Sequence, residues 1–208
     1  MNIFLVGATG RVGTEFLRLA LASGNRVTAF IRDPKKFSVS YPGLTILTGD
    51  LNNAPSLKAA FSSGKWDAIV NVAGADPFKP STLVTDAARA LIPLAEEAKT
   101  PRYLAITGTA EMPKSLGGKI STAILRLTPV GNGARDHDGA FSVVSASSLD
   151  WALIGCPWIK DGPTRSNFKT AKVFTGGMKT ISPGDVALAI FRELENPNVH
   201  RGILGVWY

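Results

Sequence analysis

The sequence predicts a doubly wound α/β fold, a parallel sheet with helices on both faces, and three observations predict it. Short apolar runs alternate with segments of helical period along most of the chain. Those runs are apolar throughout, as strands covered on both faces must be. A glycine-spaced turn, Gly7-Ala8-Thr9-Gly10-Arg11-Val12-Gly13, separates the first apolar run from the first helical segment.

The elements follow in order. Asn2 to Val6 is the first strand, and Val12, Phe16, Leu19 and Ala20 carry helical spacing after it. Asn25 to Ile31 is β-branched and aromatic, a second strand that Asp33-Pro34 stops. Leu44 to Leu47 is a third strand, Pro55 to Phe61 a short helix, and Asp67 to Val72 a buried fourth strand ending at Ala73-Gly74. Thr82 to Lys99 is a helix in which Pro93 predicts a kink or a break. Arg102 to Thr107 is the fifth strand. A helix over Ile120 to Leu127 lies between Gly117-Gly118 and a turn at Pro129 to Gly133. A helix from Arg135 to Ser147 feeds a sixth strand, Trp151 to Gly155. Ser182-Pro183-Gly184-Asp185 starts the last helix, with Val186, Ile190 and Leu194 facing inward, and Gly202 to Trp207 is the last strand.

The 208 residues show no internal repeat or linker, and residues 1–208 are read as one domain. At this length folding buries about 70% of the surface the unfolded chain exposes, so no disulfide or metal staple is required. The single cysteine, Cys156, rules out an internal disulfide and any CxxC metal knuckle. The apolar run at the amino end is too short for a membrane span and lacks the pattern of a secretory signal, which predicts a cytoplasmic protein. The formal charge is +7, yet no basic run exceeds Lys35-Lys36. Nucleic acid and membranes are therefore not the expected partners; an anionic small molecule is, bound by a monomer or homodimer.

The glycine turn carries the chemistry. Gly7 allows a sharp turn off the strand, Gly10 lets the backbone approach a pyrophosphate, and Gly13 draws the helix against the sheet. With Thr9, Arg11 and Val12 they form the expected phosphate cradle, because a helix N-terminus offers unpaired N–H groups and partial positive charge. The end of the second strand selects the nucleotide: an acid there binds a ribose 2′-OH, an arginine a 2′-phosphate. Arg32 comes first in Arg32-Asp33-Pro34-Lys35-Lys36, with Lys36 close behind and Arg11 able to reach the same region. NADP(H) is favoured over NAD; in the alternative Asp33 takes the ribose. In Gly49-Asp50-Leu51, Asp50 and Leu51 contact the adenine, or Asp50 caps the turn before the next helix. Ala73 and Gly74 lack bulk where the ribose and nicotinamide linkage passes.

On these residues, with Leu149-Asp150-Trp151 to Cys156-Pro157 and Ile181 to Ala187, nearly the whole chain resembles the atypical, short branch of the short-chain dehydrogenase/reductase superfamily. That branch includes NmrA-like NAD(P)H-binding proteins, biliverdin reductase B-like (flavin reductase) enzymes and NADH-flavin reductase-like proteins. The resemblance implies a Rossmann-like fold and hydride transfer from NADPH to a small acceptor. It places Thr107, Gly108 and Thr109, then Cys156, Pro157 and Trp158, around the nicotinamide and substrate.

The Tyr-x-x-x-Lys pair of the larger superfamily is missing: none of Tyr41, Tyr103 and Tyr208 has lysine at the fourth following position. Alcohol and ketone chemistry then has no residues behind it. A conjugated acceptor such as a flavin or quinone spreads the developing charge and can take its proton from water, leaving orientation as the protein's main task. His137 is the candidate proton donor because imidazole titrates near neutrality, and Thr109 is a second catalytic candidate through its hydroxyl. Cys156 reads as inert packing, His200 as surface, and Glu111 stands in a loop of unpredicted shape. An NADP-sensing regulatory protein of the NmrA type, without turnover, is the alternative.

Overall fold

The computed structural model describes residues 1–37, 41–196, 198 and 201–208. Its strands are β1 (Asn2–Val6), β2 (Arg26–Ile31), β3 (Leu44–Thr48), β4 (Ala68–Asn71), β5 (Arg102–Gly108), β6 (Asp150–Cys156), β7 (Trp158–Ile159), β8 (Lys169–Ala171), β9 (Thr180–Ile181) and β10 (Gly202–Trp207). The helices are α1 (Arg11–Ala22), α2 (Ala54–Phe61), α3 (Leu83–Glu97), α4 (Leu116–Arg126), α5 (Gly131–Ala146) and α6 (Pro183–Glu195). Eight strands form one sheet in the order β3-β2-β1-β4-β5-β6-β10-β8, and β7 pairs with β9 apart from it. All pairs of the large sheet are parallel except the β10–β8 edge, where Val206 stands opposite Thr170. The fold is the expected Rossmann-like α/β sheet.

Alternate residues of β1 serve opposite faces, as a period of two requires. Ile3 and Leu5 pack with Phe16 of α1 and Ile190 of α6 in one apolar layer. Phe4 and Val6 pack with Leu57 of α2, Leu91 of α3 and Val144 of α5 in the other. Every residue of β4 is buried, which explains its apolar run up to Asn71. In that second layer Phe4 also meets the Phe61 ring of α2 edge-on at 5.1 Å, a geometry that aromatic quadrupoles favour.

The structure differs from the sequence reading in four places. Pro93 breaks nothing: α3 runs through it, with Leu91, Ile92 and Ala95 buried around it, so packing outweighs the lost backbone bond. Gly117-Gly118 is no boundary but the first turn of α4, capped by Ser115; a Cβ at Gly118 would stand 2.3 Å from the Phe174 carbonyl oxygen, so glycine lets that segment pass. The turn expected up to Gly133 ends earlier, because α5 starts at Gly131 against the end of α4. The short β7, β8 and β9 had no periodicity to reveal them.

Candidate functional site

From β1 the chain builds outward to β2 and β3, then returns to lay β4 on the other flank of β1. Successive connections therefore diverge between the carboxyl ends of β1 and β4, where open α/β sheets bind ligands. Gly7 stands at the base of this crevice with φ of +86°. A Cβ there would lie 2.6 Å from both the Val72 carbonyl carbon and the Ala73 nitrogen, so the turn can pass the end of β4 only as glycine. A Cβ at Gly13 would lie 2.1 Å from the Gly7 carbonyl oxygen, which shows how tightly α1 is drawn onto the turn. Thr14 braces it, its hydroxyl within hydrogen-bond distance of the Ala8 carbonyl at 3.2 Å and the Gly10 carbonyl at 3.0 Å.

Gly10 is the N-cap of α1, with extended backbone and no side-chain cap. The first-turn amides of Arg11, Val12 and Gly13 therefore lack the side-chain acceptor that a serine or aspartate would supply, and the helix dipole reinforces their pull on an anion. The Val12 side chain is buried, so only its amide is offered. Thr9, Gly10 and Arg11 line a cavity of about 460 Å³ whose far wall is Asp161, Gly162, Pro183 and Gly184. Arg11 Nη1 donates to Asp161 Oδ1 at 2.8 Å, with both side chains largely exposed. The guanidinium is thus engaged across this cavity rather than free to join Arg32. A second hollow, of about 410 Å³ beside Asn2, Arg26 and Trp66, lies at the amino ends of the strands, away from the turn.

Arg32 is exposed just past β2. Asp33 Oδ1 accepts the Lys35 N–H at 3.0 Å, capping a 3₁₀ turn over Pro34–Lys36, so this carboxylate is held by its own turn. The Lys36 side chain and the whole of His200 lie outside what the structure describes. Asp50 Oδ1 accepts the Asn52 N–H at 2.9 Å, the turn-capping role weighed for it, and Leu51 packs on the α2–α3 layer. Ala73 N–H donates to Asn71 Oδ1 at 3.1 Å, and Asn71 Nδ2 to the Tyr103 hydroxyl at 2.9 Å. Asn71 thus fixes the exit from β4, a role its place in an apolar strand could have signalled. A Cβ at Gly74 would meet nothing within 4 Å.

At the other half of the crevice, β5 and β6 run in register to Gly108 opposite Cys156. Thr107 is buried and its Oγ1 has no hydrogen-bond partner. Thr109 opens a 3₁₀ turn that ends at Glu111. Pro157 is half-buried, and the Trp158 ring, 47% exposed, meets the equally open Phe78 ring at 5.6 Å. Burial pushes the Cys156 thiol up, out of the reactive range.

His137 lies in the second turn of α5, its Nδ1 sealed from solvent without a partner. Burial lowers its pKa, outweighing the pull of Asp136 and Asp138, so it is a neutral imidazole at pH 7. This departs from the near-neutral titration expected of it. Neighbouring Asp136 is buried and accepts the Val84 and Thr85 N–H groups at 3.1 and 2.8 Å, capping α3. Sequence reasoning also missed a cluster of Glu111, Asp138 and Arg126, in which Arg126 grips Asp138 through bonds of 2.6 and 2.8 Å. Burial, with Asp138 as its neighbour, pushes the Glu111 carboxyl up to about 9.

Residues 7–197 match the family model described as NAD(P)H-binding. The chain belongs to that family. Its relatives include the uncharacterized protein YwnB of Bacillus subtilis (strain 168), 28% identical over 209 residues, covering 95% of this chain and 93% of YwnB. Among solved structures, ChuY, an anaerobilin reductase from Escherichia coli O157:H7, superposes with a TM-score of 0.82 at 23% identity, covering 99% of this chain and 96% of ChuY. A short-chain dehydrogenase/reductase (wide type) from Veillonella parvula DSM 2008, in complex with NADP, superposes at 0.77 and 16% identity, covering 99% and 93%. These likenesses establish the fold.

The residues of this NAD(P)H-binding chain fit a dinucleotide. The uncapped start of α1 suits a pyrophosphate, the open space at Gly74 suits the linkage beyond it, and the unpartnered Thr107 hydroxyl suits a polar group at the far end. Among the described residues no group of three or more His, Cys, Asp or Glu could hold a metal ion, and no helix is long and apolar enough to cross a membrane.

Proposed function

We propose that the protein is an NADPH-dependent reductase of a small planar acceptor, flavin- or quinone-like. The observation that carries this reading is the uncapped amino end of α1 at the sheet's switch point, with exposed Arg32 past β2 while Asp33 is tied into its own turn. A guanidinium pairs with a 2′-phosphate through two parallel bonds that a hydroxyl cannot reproduce, which favours NADPH. The bound cofactor supplies hydride. The chain's own residues supply orientation: amides of Arg11 to Gly13 for the diphosphate, and the Thr107 and Thr109 hydroxyls, Pro157 and the half-exposed Trp158 ring at the reacting end. The NADP-bound neighbour and the reductase ChuY support this reading at the level of the fold. The partner is a small molecule rather than nucleic acid or a membrane, and the protein is a cytoplasmic monomer or homodimer.

Two of the three tyrosines agree with a conjugated acceptor. Tyr103 is buried against Asn71, its hydroxyl pushed up to about 12 by burial, and the Tyr208 hydroxyl is bound to Asp185. Neither is free to act as the acid that alcohol–ketone chemistry requires. Arg32→Ala tests the cofactor assignment: NADPH affinity falls by well over threefold with NADH unchanged, because losing a phosphate clamp costs more than about 1 kcal/mol. A smaller loss, or an equal loss for both, refutes it. The same lack of a tyrosine acid favours a second reading, an NADP sensor without turnover, and substantial NADPH oxidation with flavin or quinone rules that out.

A further inference from the structure

Neither oxygen of Glu111 meets an N–H or O–H donor, and both are shut off from solvent. Their contact is with the Asp138 carboxyl, itself an acceptor already held by Arg126. Two carboxyls in hydrogen-bond contact need a proton between them. Burial works against ionised Asp138, but the Arg126 grip and the Glu111 hydrogen bond outweigh it and hold its pKa below the ordinary value. The proton therefore resides on Glu111, whose carboxyl burial and Asp138 raise to about 9 against the opposing pull of Arg126 from α4 and Lys114 from the segment before it. On α5, Asp136 is committed to capping α3 and His137 is neutral.

Position connects this acid to the strand end. Glu111 closes the turn directly after β5, and its Oε2 lies 3.7 Å from where a Gly108 Cβ would stand; His137 Cδ2 lies 4.0 Å from the same point. Because residue 108 is glycine, no side chain of that residue stands between the acid and a ring seated on the strand end. We propose that Glu111, paired with Asp138, is the proton donor to the reduced acceptor, in the place that sequence assigns to His137. This rests on the reductase reading. In a two-electron reduction the acceptor gains a hydride from the reduced dinucleotide, which leaves oxidised, and a proton. Glu111 gives up that proton, becomes a carboxylate and is reprotonated from water through the partly exposed Asp138 carboxyl that it contacts, so charge and atoms balance.

The test has two parts. In the ligand-free protein, ¹³C-carboxyl NMR follows Glu111 through pH, with Glu111→Gln identifying its signal; the acid stays protonated at pH 7. In steady state with NADPH and a panel of flavins and quinones, wild-type kcat falls above pH about 9. Glu111→Gln loses about 10²-fold in kcat with NADPH affinity within about twofold, and its residual rate lacks that alkaline limb. Asp138→Asn, which removes the like charge and frees Arg126, moves the limb to lower pH. A Glu111→Gln protein with wild-type kcat and limb, or a Glu111 ionised at pH 7, overturns the assignment while the reductase reading stands. A wild-type protein that binds NADPH but reduces no acceptor overturns the reductase reading, and this role with it.

Discussion

Arg11 and Asp161 are joined across the cavity in front of the glycine turn, Nη1 to Oδ1 at 2.8 Å, tying the first turn of α1 to the segment after β7. Both side chains are mostly exposed, so the pair adds little to stability, about 0.2–1 kcal/mol. Its consequence is for ligand entry, because an anion arriving at α1 competes with Asp161 for the same guanidinium. Asp161→Ala is expected to leave the melting temperature nearly unchanged and to tighten NADPH binding a few-fold by calorimetry. Weaker binding in this variant would show that Asp161 holds the ligand instead of competing with it.

The glycines separate folding from binding. Gly13→Ala puts a methyl 2.1 Å from the Gly7 carbonyl oxygen, backbone that cannot yield without moving α1. A loss of about 1–3 kcal/mol or more in denaturant unfolding is expected. Gly74→Ala meets nothing within 4 Å, so its unfolding midpoint stays put while NADPH affinity drops as the methyl enters the ligand's path. Unchanged affinity in Gly74→Ala would mean that the cofactor does not pass there.

Stability should depend on pH through Glu111, with a definite sign. Its pKa is raised in the folded state, to about 9 from an ordinary 4.5. Between those values the native chain binds the extra proton, so this group's contribution to stability declines as pH rises. Relative to wild type, Glu111→Gln gains stability at about pH 8 compared with about pH 5. Urea titrations of both proteins at the two pH values check this, and a difference independent of pH contradicts it.

Asn71 links the core to the site. Its side chain accepts the Ala73 N–H and donates to the buried Tyr103 hydroxyl. Tyr103→Phe strands only the buried Asn71 amide, at a cost of about 1–3 kcal/mol. Asn71→Leu instead strands the Tyr103 hydroxyl and the Ala73 N–H and frees the chain before Gly74, so it should weaken NADPH binding as well. Equal NADPH affinities in the two variants would remove Asn71 from the account of the site.

What was legible in the sequence was local. The first strand, the glycine turn and α1 lie within the first 22 residues, and each glycine's use follows from its own backbone neighbours. Longer strands showed themselves because burial on both faces forces an unbroken apolar run. By contrast, β8 owes its strand character to β10, more than thirty residues on, and no pattern within Lys169–Ala171 encodes that. Among site residues, Arg32 and Gly74 could be placed by their distance from a strand end. The Glu111–Asp138–Arg126 cluster could not, because its members come from three elements that only the tertiary fold assembles. His137 illustrates the same limit: its type suggested titration near neutrality, but burial decided its charge.

In the proposed reading the first-turn amides of α1 grip the diphosphate of a pyridine dinucleotide. Titrating ¹⁵N-labelled protein with NADPH tests it most directly. Saturating shifts that are largest at the amides of Arg11, Val12 and Gly13 are expected. If those three amides stay unmoved at millimolar NADPH and at millimolar NADH, that grip is contradicted.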